Sequence, residues 1–335
     1  MKAGKIQESI LDRAVLKQLK HRRDEVIVRP AAGFDCAAAC LPEKTIYVSH
    51  MNTVSGDAYE CGRMAVVRAA SGLWAKGADV FGIHVSIMMP KLAEEQELRQ
   101  LIADIERSCE KYHIEILGGH TEVSEAASQF IVTVCAEGFL KEGMEEAKKR
   151  LRGKARPGDD IVMTGYAGLF GTAAAARRAE RILCKKYNPD FVESAQSFFD
   201  IENIKEAAGV LKDFDVSAVH DVASSGIFGA LWELSKSSGH GFSIDLKKIL
   251  LRQETVEVCD FFDLNPYRLE SGGSLLIAVS HGEQLSCALK KKGIAAAVIG
   301  EITADKNKTV VNDDENGCME PPRGSELAKI EWREI

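Results

Sequence analysis

The residues best suited to chemistry by type and spacing lie between Ala155 and Asp245, a stretch that opens ARPGDDIVMTGYAGLFGTAAAARR. Pro157-Gly158-Asp159 reads as a turn, Asp160–Thr164 as a short apolar strand, and Gly165-Tyr166-Ala167-Gly168-Leu169-Phe170-Gly171 as a glycine-spaced loop. From Thr172 the alanine-rich run predicts a helix, because Ala has the highest helix propensity. Strand, glycine loop and helix in that order aim backbone N–H groups from a positive helix end, a usual place for phosphate. Gly165, Gly168, Gly171 and Thr172 are therefore candidate phosphate contacts. The spacing matches neither GxxxxGK[ST] nor GxGxxG, so close packing of helix on strand is the competing reading. The stretch closes with HDVASSGIFGALWELSKSSGHGFSID: a polar turn at His220-Asp221, a helix from about Ile227 to Ser235 and a strand at Gly241–Asp245. Asp221 suits a helix N-cap at least as well as a catalytic acid.

The elements that must position these residues follow from periodicity. Lys2–Leu19 reads as an amphipathic helix, and Glu25–Arg29 as a strand. FDCAAACL and TIYVSHMNTV read as two strands paired across a turn at Pro42-Glu43-Lys44. A helix rich in small residues spans Tyr59–Lys76 and stops at Gly77, a strand spans Val80–Met89, and Ala93–Tyr112 is an amphipathic helix. Ile114–Leu117 leads into Gly118-Gly119-His120-Thr121-Glu122-Val123, and Phe130–Gly138 is a further strand. The charged segment Lys141–Arg156 reads as a helical boundary, which divides the chain into domains 1–152 and 153–335. Beyond it come helices near Asn203–Lys212, Glu254–Phe262 and Gln284–Lys291, strands near Leu275–Val279 and Ala297–Ile302, and a polar, turn-rich tail from Asp305.

Length and charge narrow the function classes. A chain of 335 residues is long enough for two domains of ordinary size. The formal net charge of −7, with no basic stripe, argues against a nucleic-acid partner. No segment approaches the length of a membrane span, and nine cysteines without CxxC pairs suit reduced thiols, so a cytoplasmic location is expected. His84, between Ile83 and Val85 in mid-strand, reads as structural, as do His21, His113, His240 and His281.

ARPGDDIVMTGYAG, HDVASSGIFGALWELSKSSGHGFSID, LESGGSLLIAV and AAVIGEI resemble the C-terminal domain of the aminoimidazole ribonucleotide synthetase-like (PurM-like) superfamily. That superfamily includes hydrogenase maturation factor HypE, thiamine-monophosphate kinase and selenophosphate synthetase. The likeness runs over nearly the whole chain, and its order and spacing look most like HypE. The resemblance implies an α/β (α+β) fold of two such domains, ATP with Mg²⁺, and a homodimer formed through strands of the N-terminal domain. It also implies phosphoryl-transfer chemistry that activates an amide or carboxyl-type oxygen, and a maturation partner protein.

Several positions depart from the family pattern. The GDDAA-like element is Gly33-Phe34-Asp35-Cys36-Ala37, leaving Asp35 as its one acid. The TTD-like element is Val48-Ser49-His50, the asparagine–aspartate pair on the following helix is Ser71-Gly72, and the GGDT-like element is Gly118-Gly119-His120-Thr121. By resemblance Asp35 holds metal and serves catalysis, Gly118, Gly119 and Thr121 lie at the nucleotide, and Asp221 orients the acceptor. Mg²⁺ takes oxygen ligands, whereas imidazole suits zinc, nickel, copper or iron. Three readings therefore stand: a weakened nucleotide or phosphate pocket, a transition-metal site of Asp35, His50, His120 and Glu122, or hydrogen-bonded histidines without catalysis. The DPTRGG-like turn is Asp221-Val222-Ala223-Ser224-Ser225-Gly226, which lacks the arginine. HypE-type tails end in a cysteine that carries the carbamoyl group. Glu331 stands at that position, and a carboxylate cannot form the thiocarbamate. A catalytically degenerate dimeric scaffold or metal sensor is thus the alternative function.

Overall fold

The computed structural model describes residues 4–5, 8–29, 38–141, 143–313, 315–322 and 324–330. The chain divides into two compact units, Met1–Ala147 and Lys148–Ile335.

In the first unit the strands are β1 (Gly4–Lys5), β2 (Val26–Val28), β3 (Ala38–Ala39), β4 (Ile46–Gly56), β5 (Asp79–Pro90), β6 (Glu115–Ser124) and β7 (Phe130–Leu140). The helices are α1 (Glu8–Ala14), α2 (Ala58–Trp74), α3 (Glu95–Tyr112) and, across the boundary, α4 (Met144–Leu151). A five-stranded sheet has the order β1-β6-β5-β7-β4, with β5 and β6 parallel and the other pairs antiparallel.

Alternation along a strand divides this sheet into two unlike faces. On β7, Phe130, Val132, Val134 and Ala136 are buried, while Ile131, Thr133, Cys135 and Glu137 are half-exposed. The buried face lies under α2, whose small residues allow close approach: a Cβ on Gly62 would stand 2.7 Å from Cβ of Asp104 on α3. The Asp57 carboxylate caps α2, accepting from Tyr59 N at 2.9 Å and Glu60 N at 2.8 Å. The other face leaves Tyr47, Met51 and Met88 exposed.

The expected helix over Lys2–Leu19 is not continuous, because Gly4–Lys5 pairs with Glu122–Val123 of β6. Among the described residues FDCAAACL and TIYVSHMNTV do not pair with each other either. β3 joins β2, whereas β4 runs beside β7 for eleven registered pairs from Ile46–Leu140 to Gly56–Phe130. The long-range partner wins because it pairs β4 along its full length and buries Val54 at its end.

The second unit contains β8 (Asp160–Thr164), β9 (Val216–Val222), β10 (Gly241–Asp245), β11 (Ser274–Val279), β12 (Ala296–Thr303), β13 (Lys308–Asn312) and β14 (Glu315–Cys318). Its helices are α5 (Leu169–Arg178), α6 (Glu180–Leu183), α7 (Pro189–Gln196), α8 (Ile204–Val210), α9 (Gly226–Ser238), α10 (Gln253–Phe262) and α11 (Gly282–Lys291). The seven strands run β14-β13-β10-β12-β8-β11-β9, antiparallel except for β10 with β13. One apolar core joins the sheet to α9 through Ile161, Met163, Ile227, Leu231 and Leu276. Another gathers Ala175, Val192, Val258 and Leu269 with Leu327 and Ile330 of the tail. The tail is thus not simply turns: it supplies β13, β14 and a buried anchor.

Candidate functional site

His50 lies on the helix-covered face of β4. Its Nδ1 stands 2.9 Å from Ala69 O of α2. A Cβ on Gly72 would meet its Nδ1 at 3.1 Å, Cε1 at 3.2 Å and Cγ at 3.3 Å. The two departures expected to weaken metal binding are therefore one packing unit. The imidazole occupies the room left by the glycine.

His120 and Glu122 lie on the opposite, open face of the same sheet. Cross-strand partners share a face, and the register runs His120–Ser86–Thr133–Thr53 across four strands. His50 pairs instead with the buried Ala136. Of the expected set Asp35, His50, His120 and Glu122, His50 does not meet His120 and Glu122, because the sheet lies between them. Asp35 lies outside the described residues. Among the described residues no group of three or more His, Cys, Asp or Glu could hold a metal ion.

The GGHT element is the middle of β6. Gly119 meets a close neighbour strand: a Cβ there would lie 1.8 Å from Val85 O, so only glycine fits. Thr121 is buried on the helix side, whereas Gly118 lies on the open side beneath the His84 ring. His84 Nδ1 is 2.7 Å from Glu137 Oε1, and His120 Nε2 is 3.2 Å from Glu122 Oε2. Sequence reasoning missed the His84–Glu137 pair. Its trace is a lone acid, Glu137, in the otherwise uncharged strand FIVTVCAEGFL.

At the base of β6, Glu115 is fully buried and accepts from Arg29 Nε at 2.7 Å and from the Arg23 backbone N–H. Arg29 also donates to Arg23 O at 2.9 Å. This carboxylate holds the segment before β2 and the residue after it against β6.

The glycine loop of the second unit is a packing device rather than a phosphate cradle. Helix α5 starts at Leu169, three residues before the expected start, and takes in Gly171 and Thr172. The N–H groups of Gly165, Ala167, Gly168 and Gly171 donate to Ala295 O, Leu250 O, Ser271 Oγ and Glu270 O at 2.8, 2.9, 2.6 and 3.0 Å. Thr172 is fully buried, and its hydroxyl donates to Gly168 O at 2.8 Å. A Cβ on Gly171 would fall 2.4 Å from Leu269 Cγ. Each glycine answers to a neighbouring segment, and these four donors are already engaged.

His220 and Asp221 belong to β9 rather than to a turn, and the residue before α9 is Ser225, so Asp221 does not cap that helix. His220 Nδ1 contacts Asp221 O at 2.7 Å, and its Nε2 contacts Glu233 Oε2 of α9 at 3.1 Å. Burial disfavours the imidazolium, but the Glu233 and Asp221 bonds outweigh it, and His220 holds its proton above the usual range. The His220 bond in turn keeps Glu233 below the usual carboxylate range. The Asp221 side chain is 21% exposed, and its Oδ1 lies 3.9 Å from His220 Nδ1. Ala223 O accepts from Ser271 N at 3.3 Å, which docks the following turn on the segment that also closes the glycine loop.

No helix among the described residues is long and apolar enough to cross a membrane. Residues 33–140 match the model of the AIR synthase related protein N-terminal domain, and residues 156–313 match that of the C-terminal domain. A carbamoyl dehydratase HypE of Rhodobacter capsulatus is 26% identical over 252 residues, covering 73% of this chain and 71% of the relative. A putative hydrogenase expression/formation protein of Methanocaldococcus jannaschii is 24% identical over 319 residues, covering 92% and 91%. The crystal structure of hydrogenase maturation protein HypE in complex with ATP superposes with a TM-score of 0.74 at 15% identity, covering 97% of each chain. With both domain models matched in order and the two-unit fold shared, the chain belongs to the AIR synthase related family.

Proposed function

We propose that this chain is a HypE-like protein that binds ATP or another phosphate ligand with altered, weakened Mg²⁺ coordination. The observation that carries the reading is the alignment of both domains, over 92% of the chain, with a hydrogenase expression/formation protein. The ATP complex of a protein with this fold supports nucleotide as the ligand class. The His50–Gly72 packing supports the weakened coordination, since an imidazole bound to Ala69 O replaces an oxygen ligand at that place. Mg²⁺ requires oxygen donors and bridges phosphates, so fewer carboxylates leave the triphosphate charge less compensated. Asp35 is assigned to metal, the Gly118–Gly119 backbone to phosphate, and Asp221 to orientation of an amide or carboxyl-type acceptor. Any turnover is ATP-dependent activation of that acceptor oxygen, driven by positioning and charge neutralisation.

A second reading, a dimeric scaffold in metalloenzyme maturation, is favoured by the open sheet face with exposed Tyr47, Met51 and Met88. A HypE–HypF complex shares the fold, which supports a maturation partner protein. Calorimetry with ATP and Mg²⁺ separates the two. Binding below the millimolar range that is lost on Asp35→Ala supports the nucleotide reading. No heat at millimolar nucleotide, with a dimer in sedimentation, leaves the scaffold.

A further inference from the structure

The open face of the five-stranded sheet carries two histidines, His84 and His120, whose imidazoles the nucleotide reading does not use. β5 and β6 are parallel, with His84 opposite Gly118 and Ser86 opposite His120. His84 and His120 are therefore diagonal neighbours on one face, and a strand spacing of about 4.8 Å with a two-residue offset of about 6.6 Å puts their backbones about 8 Å apart. Gly118 leaves the space between them open. Its missing Cβ would lie 3.5 Å from His84 Cδ2 and 3.8 Å from Nε2, so the His84 ring leans toward the strand that bears His120.

Each ring is tied to a carboxylate through one nitrogen, His84 Nδ1 to Glu137 and His120 Nε2 to Glu122. Among the described residues no hydrogen bond reaches the other nitrogen of either ring. Such carboxylate backing is the usual support of a metal-binding histidine, because it fixes the tautomer and raises ligand basicity. Both side chains are reachable, at 44% and 50% exposure. We propose that His84 and His120 form a two-imidazole site for a borderline divalent transition cation of the zinc class, with Glu137 and Glu122 as orienting carboxylates.

The donor type selects the cation: neutral imidazole nitrogen suits zinc, nickel or copper and not Mg²⁺ or Ca²⁺. With two protein ligands, the remaining positions fall to water or to the same pair on a second copy, so the site is weaker than a closed four-ligand zinc centre. His50 has no part in it. The site flanks Gly118, which the nucleotide reading assigns to phosphate, but the titration that tests it contains no nucleotide, so the two readings fail separately.

The experiment is a zinc chloride titration of chelator-treated, tag-free protein, followed by calorimetry and by ¹⁵N resonances of the histidine rings. The expected result is one zinc per chain, or one per two chains where copies share it, with shifts at His84 Nε2 and His120 Nδ1. Binding is expected to vanish in His84→Ala and His120→Ala, to weaken by about 10–100-fold in Glu137→Gln, and to persist in His50→Ala. Zinc binding that survives both histidine variants overturns the proposal. So does wild-type protein whose His84 and His120 resonances stay unmoved at millimolar zinc, a readout independent of how the variants fold.

Discussion

If the His50 ring occupies the room that Gly72 leaves, the two positions must be energetically coupled, and the sign of one substitution must depend on the other. Gly72 lies inside α2, where glycine costs about 0.8–1.0 kcal/mol relative to alanine. In the wild-type background the added methyl would touch His50 Nδ1 at 3.1 Å, and this atom makes the 2.9 Å contact with Ala69 O. Moving the ring by a few tenths of an ångström weakens a bond worth about 0.5–1.5 kcal/mol. Gain and loss then nearly cancel, so Gly72→Ala alone is expected to change stability by less than about 0.5 kcal/mol. In the His50→Ala background there is no ring to displace, and the same change is expected to stabilise by about 1 kcal/mol. The interaction energy of the double-mutant cycle is therefore about 0.5–1.5 kcal/mol. Urea unfolding of the four proteins, read through hydrogen exchange of peptides from α2, measures it locally. Additivity within about 0.3 kcal/mol would refute the coupling and reopen His50 as a residue available to a ligand.

Other expectations follow from the same geometry. Gly171→Ala forces a methyl into Leu269, so it is expected to lower stability by about 1–3 kcal/mol while MgATP affinity of the folded variant holds. Loss of binding at unchanged thermal stability would restore the phosphate-loop reading. Glu115→Ala leaves the Arg23 N–H and the half-exposed Arg29 guanidinium without their carboxylate acceptor and is expected to cost about 1–3 kcal/mol, which calorimetric unfolding reads as a lowered Tm. A shift within error would mean that Arg29 finds water instead. For His220 and Glu233 the pH dependence has a defined sign. The raised His220 value contributes stability in full below its ordinary 6.5, and this contribution fades as pH rises through the higher folded value. The lowered Glu233 value contributes above its ordinary 4.5 and fades as pH falls through the lower folded value. The stability difference between wild type and His220→Gln should therefore peak between about pH 4.5 and 6.5 and shrink above neutrality. A difference that is flat across that range would contradict the pairing.

The order of most elements was legible because their signals are local. The capped, amphipathic pattern of Ala93–Tyr112 became α3 (Glu95–Tyr112), and the apolar run near Leu275–Val279 became β11. Expectations failed where a distant segment decided the outcome. Gly4–Lys5 left its helical pattern to pair with β6, and His220-Asp221 read as a turn until β11 supplied a strand partner. Pro189–Gln196, capped by Asn188, passed unnoticed beside stronger patterns. The glycine loop is the clearest case. Its spacing records that side chains are excluded there but not by what, and Leu269, Thr255 and Ser274 do the excluding.

The residues alone determined the family likeness, the two-domain order and the presence of His50, Gly72 and His120 where the family pattern has acids, because each is a matter of which side chain stands at which position. Only the tertiary structure decided that His50 faces α2 while His120 joins His84 on the far side of the sheet. A strand's two faces differ by a single step in register, and that register is set by partners dozens of residues away. Side-chain identity limits what a residue can bind. Strand pairing decides what it can reach.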